Sequence, residues 1–141
     1  MFKTRFVILA LLGASFGIVS SAQAEMMKMK ATLNAASEVP ANDSKGTGTA
    51  DVTYDTASKM VTWKVTYSGL SGPATMAHFH GPAEAGKNAG VAVPFKSPAS
   101  GVEESATLTE AQAADLMAGR YYINVHTDAN KGGEIRGQVT K

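Results

Sequence analysis

The sequence predicts an all-β fold, an antiparallel Greek-key β-sandwich or barrel with one short helix. Short runs of alternating apolar and polar residues recur at intervals of about a dozen residues, as in all-β domains. Segments rich in glycine, proline, asparagine and aspartate separate these runs. A single amphipathic stretch carries helix start and stop signals. Together these patterns favour one antiparallel β domain with a buried side and a wet side.

The alternation is clearest in the run from Met60 to Tyr67, where apolar side chains take every second position and Trp63 is the expected core anchor. A hairpin around Asp55 to Ser58 joins this run to the one before it. The strand-like segments are, in chain order, Met29 to Leu33, Thr47 to Tyr54, Met60 to Tyr67, Met76 to His80, Val91 to Phe95, Val102 to Leu108, Tyr121 to Thr127 and Glu134 to Val139.

The helix is predicted to begin at Thr109. In Thr109-Glu110-Ala111-Gln112 the threonine caps the first turn and the glutamine reaches back to it, which is a capping box. Ala113, Leu116 and Met117 form the apolar stripe, and Gly119 ends the helix.

Residues 1–24 have the pattern of a secretory signal peptide, and residues 25–141 form the predicted domain. Lys3 and Arg5 precede an apolar stretch, and Ala22-Gln23-Ala24 supplies small residues for cleavage. The alternative is a retained membrane anchor, since the apolar stretch is nearly long enough to span a bilayer. Cleavage predicts a periplasmic or secreted protein without a membrane span in its mature form.

Charge and cysteine content exclude several function classes. Loss of Lys3 and Arg5 from the 13 basic residues leaves eleven against 12 acidic ones. No basic patch indicates nucleic acid as a partner. The chain has no cysteine, which excludes disulfides, a cysteine nucleophile and cysteine metal ligands. The domain therefore depends on packing, alone or with a bound ion.

Five segments match the pattern of a known family. They are Glu38-Val39-Pro40, Ser68-Gly69-Leu70, Ala77-His78-Phe79-His80-Gly81-Pro82, Gly119 to Thr127 and Gly133 to Gln138. Read together, they resemble the CHRD domain, a family named for its occurrence in chordin. Pro40 stands where the family tends to have a proline pair, and Lys131 where proline is usual. The resemblance implies a β-sandwich-like fold and little about activity. Chordin's growth-factor binding is not carried over, because the cysteine-rich modules that provide it are absent here.

Three histidines form the one group of residues with clear chemistry. Side chains alternate along a strand, so His78 and His80 share a face opposite their apolar neighbours, and His126 likewise lies opposite Val125. If the two strands are neighbours, three imidazoles converge as a transition-metal site requires. Met76 lies on the same face as His78, and a thioether favours Cu(I). Copper is therefore the first predicted ion and zinc the second, with Asp128 or Glu134 as a carboxylate ligand or support.

Other interpretations of the histidines stay open. They can instead form hydrogen bonds that organise loops, in an envelope or extracellular module that binds another protein. A copper-dependent redox enzyme on an immunoglobulin-like β-fold, in the manner of copper–zinc superoxide dismutase, is a third interpretation. Such an enzyme uses more histidines than the three present and a disulfide. No residue pattern indicates a catalytic triad or a carboxylate pair, so enzymatic activity is not expected.

Two further expectations concern the ends of the domain. The cluster Met26-Met27-Lys28-Met29 is interpreted as a flexible leader into the first strand. Glu134 and Arg136 alternate around Ile135, so they share a face and are expected to form an ion pair that holds the final turn.

Overall fold

The computed structural model describes residues 23–141, which form one antiparallel sheet of eight strands that is nearly closed into a barrel. This confirms the predicted all-β antiparallel class with one short helix. The predicted leader lies almost wholly in residues 1–22, outside the described residues. The elements are β1 (Met26–Asn34), a 3-10 turn (Ala35–Ser37), β2 (Thr47–Asp55), β3 (Met60–Ser68), β4 (Ala74–His80), β5 (Val91–Pro94), β6 (Glu103–Thr107), α1 (Glu110–Met117), β7 (Tyr122–Thr127) and β8 (Ile135–Gln138).

The strand order is β5-β4-β7-β8-β1-β2-β3-β6, and every pair is antiparallel. Consecutive strands pair in the hairpins β1–β2, β2–β3, β4–β5 and β7–β8. The other three connections, from β3 to β4, from β5 to β6 and from β6 to β7, join strands that are not neighbours in this order. The Glu104 carboxylate on β6 accepts the backbone N–H groups of Lys96 and Ser97, which follow β5, at 2.8 and 2.7 Å. These bonds link the two ends of the sheet.

The core lies inside the barrel and follows the predicted alternation. Trp63 is buried, as expected of an anchor, and its ring packs edge-on against Phe79 at 5.1 Å between centroids. The inward residues of β4 and β7 are Ala77, Phe79, Ile123 and Val125, and all four are buried. The outward residues of β4 therefore include both of its histidines.

Helix α1 has the predicted capping box. The Thr109 side chain accepts from the Gln112 N–H, and the Gln112 side chain accepts from the Thr109 N–H. Ala113 and Leu116 are buried in the core, and Gly119 has a positive φ of 73° just after the helix. Gln112 Nε2 also donates to the Ala92 carbonyl, which ties the helix to β5.

Strand β7 is buried on both of its faces, because loops cover the outer face of the sheet at this point. All six of its residues are buried, including the outward-facing Tyr122, Asn124 and His126. The covering segments are residues 81–90, the stretch around Glu38, and residues 128–133. The outer face here is a polar interior rather than a wet surface.

Two expectations about the ends of the domain are wrong. Residues 26–29 are part of β1 and pair with β2 from Met26 onward, so they are not a flexible leader. Glu134 and Arg136 do not form an ion pair, because Glu134 precedes β8 and is bound by hydroxyl groups while Arg136 binds residues 87–88. Within residues 23–141, no helix has the length and apolar character needed to cross a membrane.

Candidate metal centre

Strand pairing brings the three histidines together on the outer face of the sheet. Strands β4 and β7 are neighbours, and their register sets Met76 opposite His126, His78 opposite Asn124 and His80 opposite Tyr122. The two histidines of β4 and the one on β7 therefore occupy adjacent rows of the same face. The predicted convergence of two segments 48 residues apart in sequence is present in the fold.

The ring nitrogens are close enough to share one ion. His78 Nδ1 lies 3.2 Å from His126 Nε2, and one nitrogen from each ring can be chosen so that all three lie within 4.8 Å of one another. Metal–imidazole bonds are about 2.0–2.1 Å long, so two ligand nitrogens on one ion stand at most about 4 Å apart. The 4.8 Å limit exceeds that spacing by less than 1 Å.

Backbone carbonyls set the proton positions on two of the rings. His80 Nδ1 lies 3.0 Å from the Ala89 carbonyl oxygen, and His126 Nδ1 lies 2.8 Å from that of Lys131. A carbonyl oxygen only accepts, so each Nδ1 carries a proton and donates it. In the neutral rings the lone pair is then on Nε2, the atom that coordinates a metal. His80 Nε2 is buried and has no hydrogen-bond partner in residues 23–141.

The surroundings favour neutral rings. Burial, followed by the nearby His126 and His80, lowers the pKa of His78 from 6.5 to about 4. Burial is also the main cause that lowers the pKa of His80. A neutral imidazole is the form that binds a metal, so these two rings need not lose a proton to do so at neutral pH.

A stack of three side chains supports His80 from the neighbouring strands. The rings of His80 and Tyr122 are parallel within 3°, with centroids 4.9 Å apart. The Arg136 guanidinium lies 3.4 Å from the centroid of the same tyrosine ring. Because β7 lies between β4 and β8, Tyr122 lies between the other two side chains.

The same side chains hold the loop that covers the site. Arg136 donates to Asn88 Oδ1 at 2.9 Å and to the Lys87 carbonyl at 2.5 Å. Tyr122 Oη donates to the Ala89 carbonyl and accepts from the Ala89 N–H. These bonds fix the carbonyl that orients His80, which is how an outer ring of hydrogen bonds orients a metal ligand.

Two polar residues of the site, Asn124 and Glu38, were not predicted from the sequence. Asn124 is buried, and its Oδ1 lies 2.9 Å from His126 Nε2. Glu38 is buried beside Asn124, and the two side chains would both overlap a Cβ at Gly133. Burial raises the pKa of Glu38 to about 7, against the opposing effects of the Arg136 charge and the Asn124 amide. The alternation of β7 places Asn124 on the face of His126, but nothing local in the sequence indicates Glu38.

The other predicted ligands differ in position. Met76 lies on the histidine face, but its side chain is half exposed at the rim. Asp128 is exposed and does not belong to the histidine group. Glu134 is fully occupied elsewhere, since it accepts hydrogen bonds from Ser44, Ser71 and Thr127. A carboxylate ligand from Asp128 or Glu134 is therefore not part of the group.

The comparisons with known proteins agree with the resemblance read from the sequence segments. The family model described as CHRD domain matches residues 29–139, from the first strand to the residue after the last. No curated protein and no solved structure matches the chain significantly. The family match covers most of the chain and all three histidines. The chain therefore belongs to the CHRD domain family.

Proposed function

We propose that this protein is a small exported binding module that holds a transition metal ion through His78, His80 and His126. The observation that carries the proposal is the convergence of three ring nitrogens within 4.8 Å of one another. The carbonyls of Ala89 and Lys131 support it, because they leave the Nε2 lone pairs of two rings for the ion.

Copper is the first choice of ion and zinc the second. Imidazole suits both ions, and the half-exposed Met76 opposite His126 offers a thioether that favours Cu(I). Three protein ligands leave at least one position for water, a small molecule or a fourth side chain.

Isothermal titration of the purified domain with Cu(II) and Zn(II) tests the proposal. We expect one ion per chain, and loss of binding when all three histidines are replaced by alanine. Thr32, Thr49 and Thr66 form an exposed row on another part of the sheet. The matched control replaces these three residues by alanine. A titration with Cu(I) under reducing conditions tests Met76: Met76→Leu should lower Cu(I) affinity and leave Zn(II) affinity unchanged.

An interaction or structural module is the second candidate, and one observation favours it. His78 Nδ1 lies 3.2 Å from His126 Nε2, so a hydrogen bond between the two histidines can organise the group without an ion. A melting temperature unchanged by metal, with lowered stability of the histidine variants, would support this candidate. Metal binding instead raises the unfolding free energy by about 2.7 kcal/mol when the free ion exceeds its Kd a hundredfold.

Export to the periplasm or the medium is the second part of the proposal. Within residues 23–141, Glu25, the residue after the predicted cleavage site, is the first with a hydrogen bond to the rest of the fold. Its N–H donates to Thr56 Oγ1 at 3.0 Å, and its carbonyl accepts from the Thr56 N–H. Cleavage before Glu25 thus leaves the domain intact. N-terminal sequencing of the protein from fractionated cells should find Glu25 first, and a start at Met1 would contradict export by cleavage.

A further inference from the structure

The contact between His126 and Asn124 is one that a bound cation would stabilise. Because His126 Nδ1 donates to the Lys131 carbonyl, the neutral ring has its lone pair on Nε2. That atom lies only 2.9 Å from Asn124 Oδ1, which also carries lone pairs. Two acceptors at this distance repel each other unless a positive centre lies between them or beside both. A metal ion coordinated by both atoms is such a centre.

The amide of Asn124 cannot relieve this contact by turning over. Its Nδ2 lies 3.4 Å from the Gly132 carbonyl and packs beside the Glu38 carboxyl. A reversed amide would direct Oδ1 at both of these acceptors and Nδ2 at the ring. Two acceptors on one side and the histidines on the other therefore fix Oδ1 toward the metal centre.

The lack of a side chain at Gly133 allows Glu38 to lie close to Asn124. Gly133 has a φ of 128° and no side chain, and a Cβ there would overlap both Glu38 Oε1 and Asn124 Nδ2. Glu38 Oε1 is buried and has no hydrogen-bond partner in the described part of the chain. Its nearest charged neighbour is Arg136, which already binds Asn88 and the Lys87 carbonyl.

We propose that Asn124 supplies its side-chain oxygen as the fourth protein ligand of the ion, and that Glu38 is the positioning residue that holds this amide. The inference rests on the proposed metal site. It adds a fourth ligand to that site. Three imidazole nitrogens and one amide oxygen favour a divalent ion, Cu(II) or Zn(II), over Cu(I). Asn124 is buried among the histidines, whereas the thioether of Met76 lies at the rim.

The test measures Zn(II) and Cu(II) affinity by competition with a chromophoric chelator. Asn124→Ala should weaken binding by about tenfold or more, as loss of a ligand or of its support does. Asn124→Asp places a charged oxygen at the same point but turns its second oxygen toward the Gly132 and Glu38 acceptors, so it should bind the ion more tightly than Asn124→Ala and gain little over the unmodified protein. Asn130→Asp adds the same charge on the nearby loop, where its side chain makes no hydrogen bond to the group, and should change affinity little.

Two variants test whether Glu38 acts as a hydrogen-bond acceptor for the Asn124 amide. Glu38→Leu removes the acceptor and should lower affinity by about 10- to 100-fold. Glu38→Gln keeps a carbonyl oxygen that can accept from Asn124, so it should restore most of the affinity. A purely structural role would alter the metal-free melting temperature of both variants without separating their affinities in this way.

Co(II) provides the spectroscopic readout, because its visible absorption is intense with four ligands and changes when one ligand is exchanged. We expect the Co(II) spectra of Asn124→Ala and Asn124→Asp to differ from that of the unmodified protein. Unchanged affinity and spectrum in both variants, with binding still lost in the triple histidine variant, would overturn this inference alone. Binding that survives removal of the histidines, or no binding at all, would overturn the proposed metal site together with it.

Discussion

His78 is the residue whose protonation state bears most directly on metal binding. It is half-buried, and its Nδ1 faces the Nε2 of His126 at 3.2 Å. Burial and the two neighbouring histidines oppose a positive charge on its ring and lower its pKa to about 4. A histidine whose charge is suppressed in this way is available as a neutral ligand throughout the range in which free histidine becomes protonated.

The first prediction follows from that pKa. In the metal-free protein at pH 5.5, the His78 ring should be neutral, whereas an unperturbed histidine is mostly charged. Long-range nitrogen–proton NMR spectra between pH 7.5 and pH 4 measure this directly. The same spectra should show Nδ1–H on neutral His80. Titration of His78 near pH 6.5 would contradict the packing described for it.

The sign of the stability effect follows from the same shift. The native ring binds a proton less readily than the unfolded one, so protonation favours the unfolded chain. The contribution of His78 to the unfolding free energy should therefore fall as pH decreases from 6.5 toward 4. Urea unfolding should show His78→Gln gaining stability relative to the unmodified protein as pH falls across that range.

For single residues, the alternation of side chains along a strand was sufficient to assign the three histidines to one face, but not to identify every residue of the site. A strand has a period of two, so His78, His80 and His126 could each be assigned to the face opposite their apolar neighbours. The same rule places Asn124 beside His126. Asn124 was missed because an amide is a weak metal ligand on an open surface, and only the covering loops turn its oxygen toward the rings.

Strand β8 is the element that completes the sheet, although it has only four residues. It pairs with β7 from Tyr122 to Val125 and meets β1 at the pair Asn34 and Arg136. Gly137 lies where β8 approaches β1 most closely, and an added Cβ would overlap the backbone carbonyl of Thr32. Backbone on both sides of the contact leaves no flexible side chain to move away.

Gly137→Ala should therefore destabilise the domain by about 2–4 kcal/mol, through strain and separation of β8 from β1. Gly72→Ala is the matched control, because a Cβ at Gly72 would meet nothing within 4 Å. Chemical unfolding of both variants measures the difference. Equal stabilities would show that β8 and β1 can separate at little cost. Because Arg136 is the neighbour of Gly137, the strained variant should also bind metal less tightly.

The existence of the strands could be predicted from sequence, but their order could not. Each apolar alternation and the capping box of α1 are local patterns, and the structure confirms them with boundaries shifted by one to three residues. The pairing of β8 with β1 joins segments about 100 residues apart, which no local pattern specifies. The burial of Arg136 under residues 81–90 depends on that order, so the expected ion pair with Glu134 was wrong.

At the scale of the whole molecule, Glu134 links parts of the chain that are distant in sequence. Its carboxylate accepts from Ser44 Oγ at 2.5 Å, from the N–H and Oγ of Ser71 at 2.7 and 2.6 Å, and from Thr127 Oγ1. The loop before β2, the loop before β4 and the end of β7 thus meet at one buried charge. Burial opposes that charge, but the hydroxyl and backbone donors outweigh it and lower its pKa to about 2.

Glu134→Gln should lower the unfolding free energy at pH 7 by about 2–3 kcal/mol, because a pKa two or more units below the unfolded value corresponds to that much stability. The folded pKa is the lower one, so the contribution is complete above pH 4.5 and disappears as pH falls toward 2. Urea unfolding at pH 7, 5 and 3 should show the two proteins converging at the acid end. Glu103→Gln, at an exposed position on β6, is the control and should behave as the unmodified protein does. A Glu134→Gln deficit that stayed constant from pH 7 to pH 3 would mean that shape, rather than the buried charge, holds these three segments together.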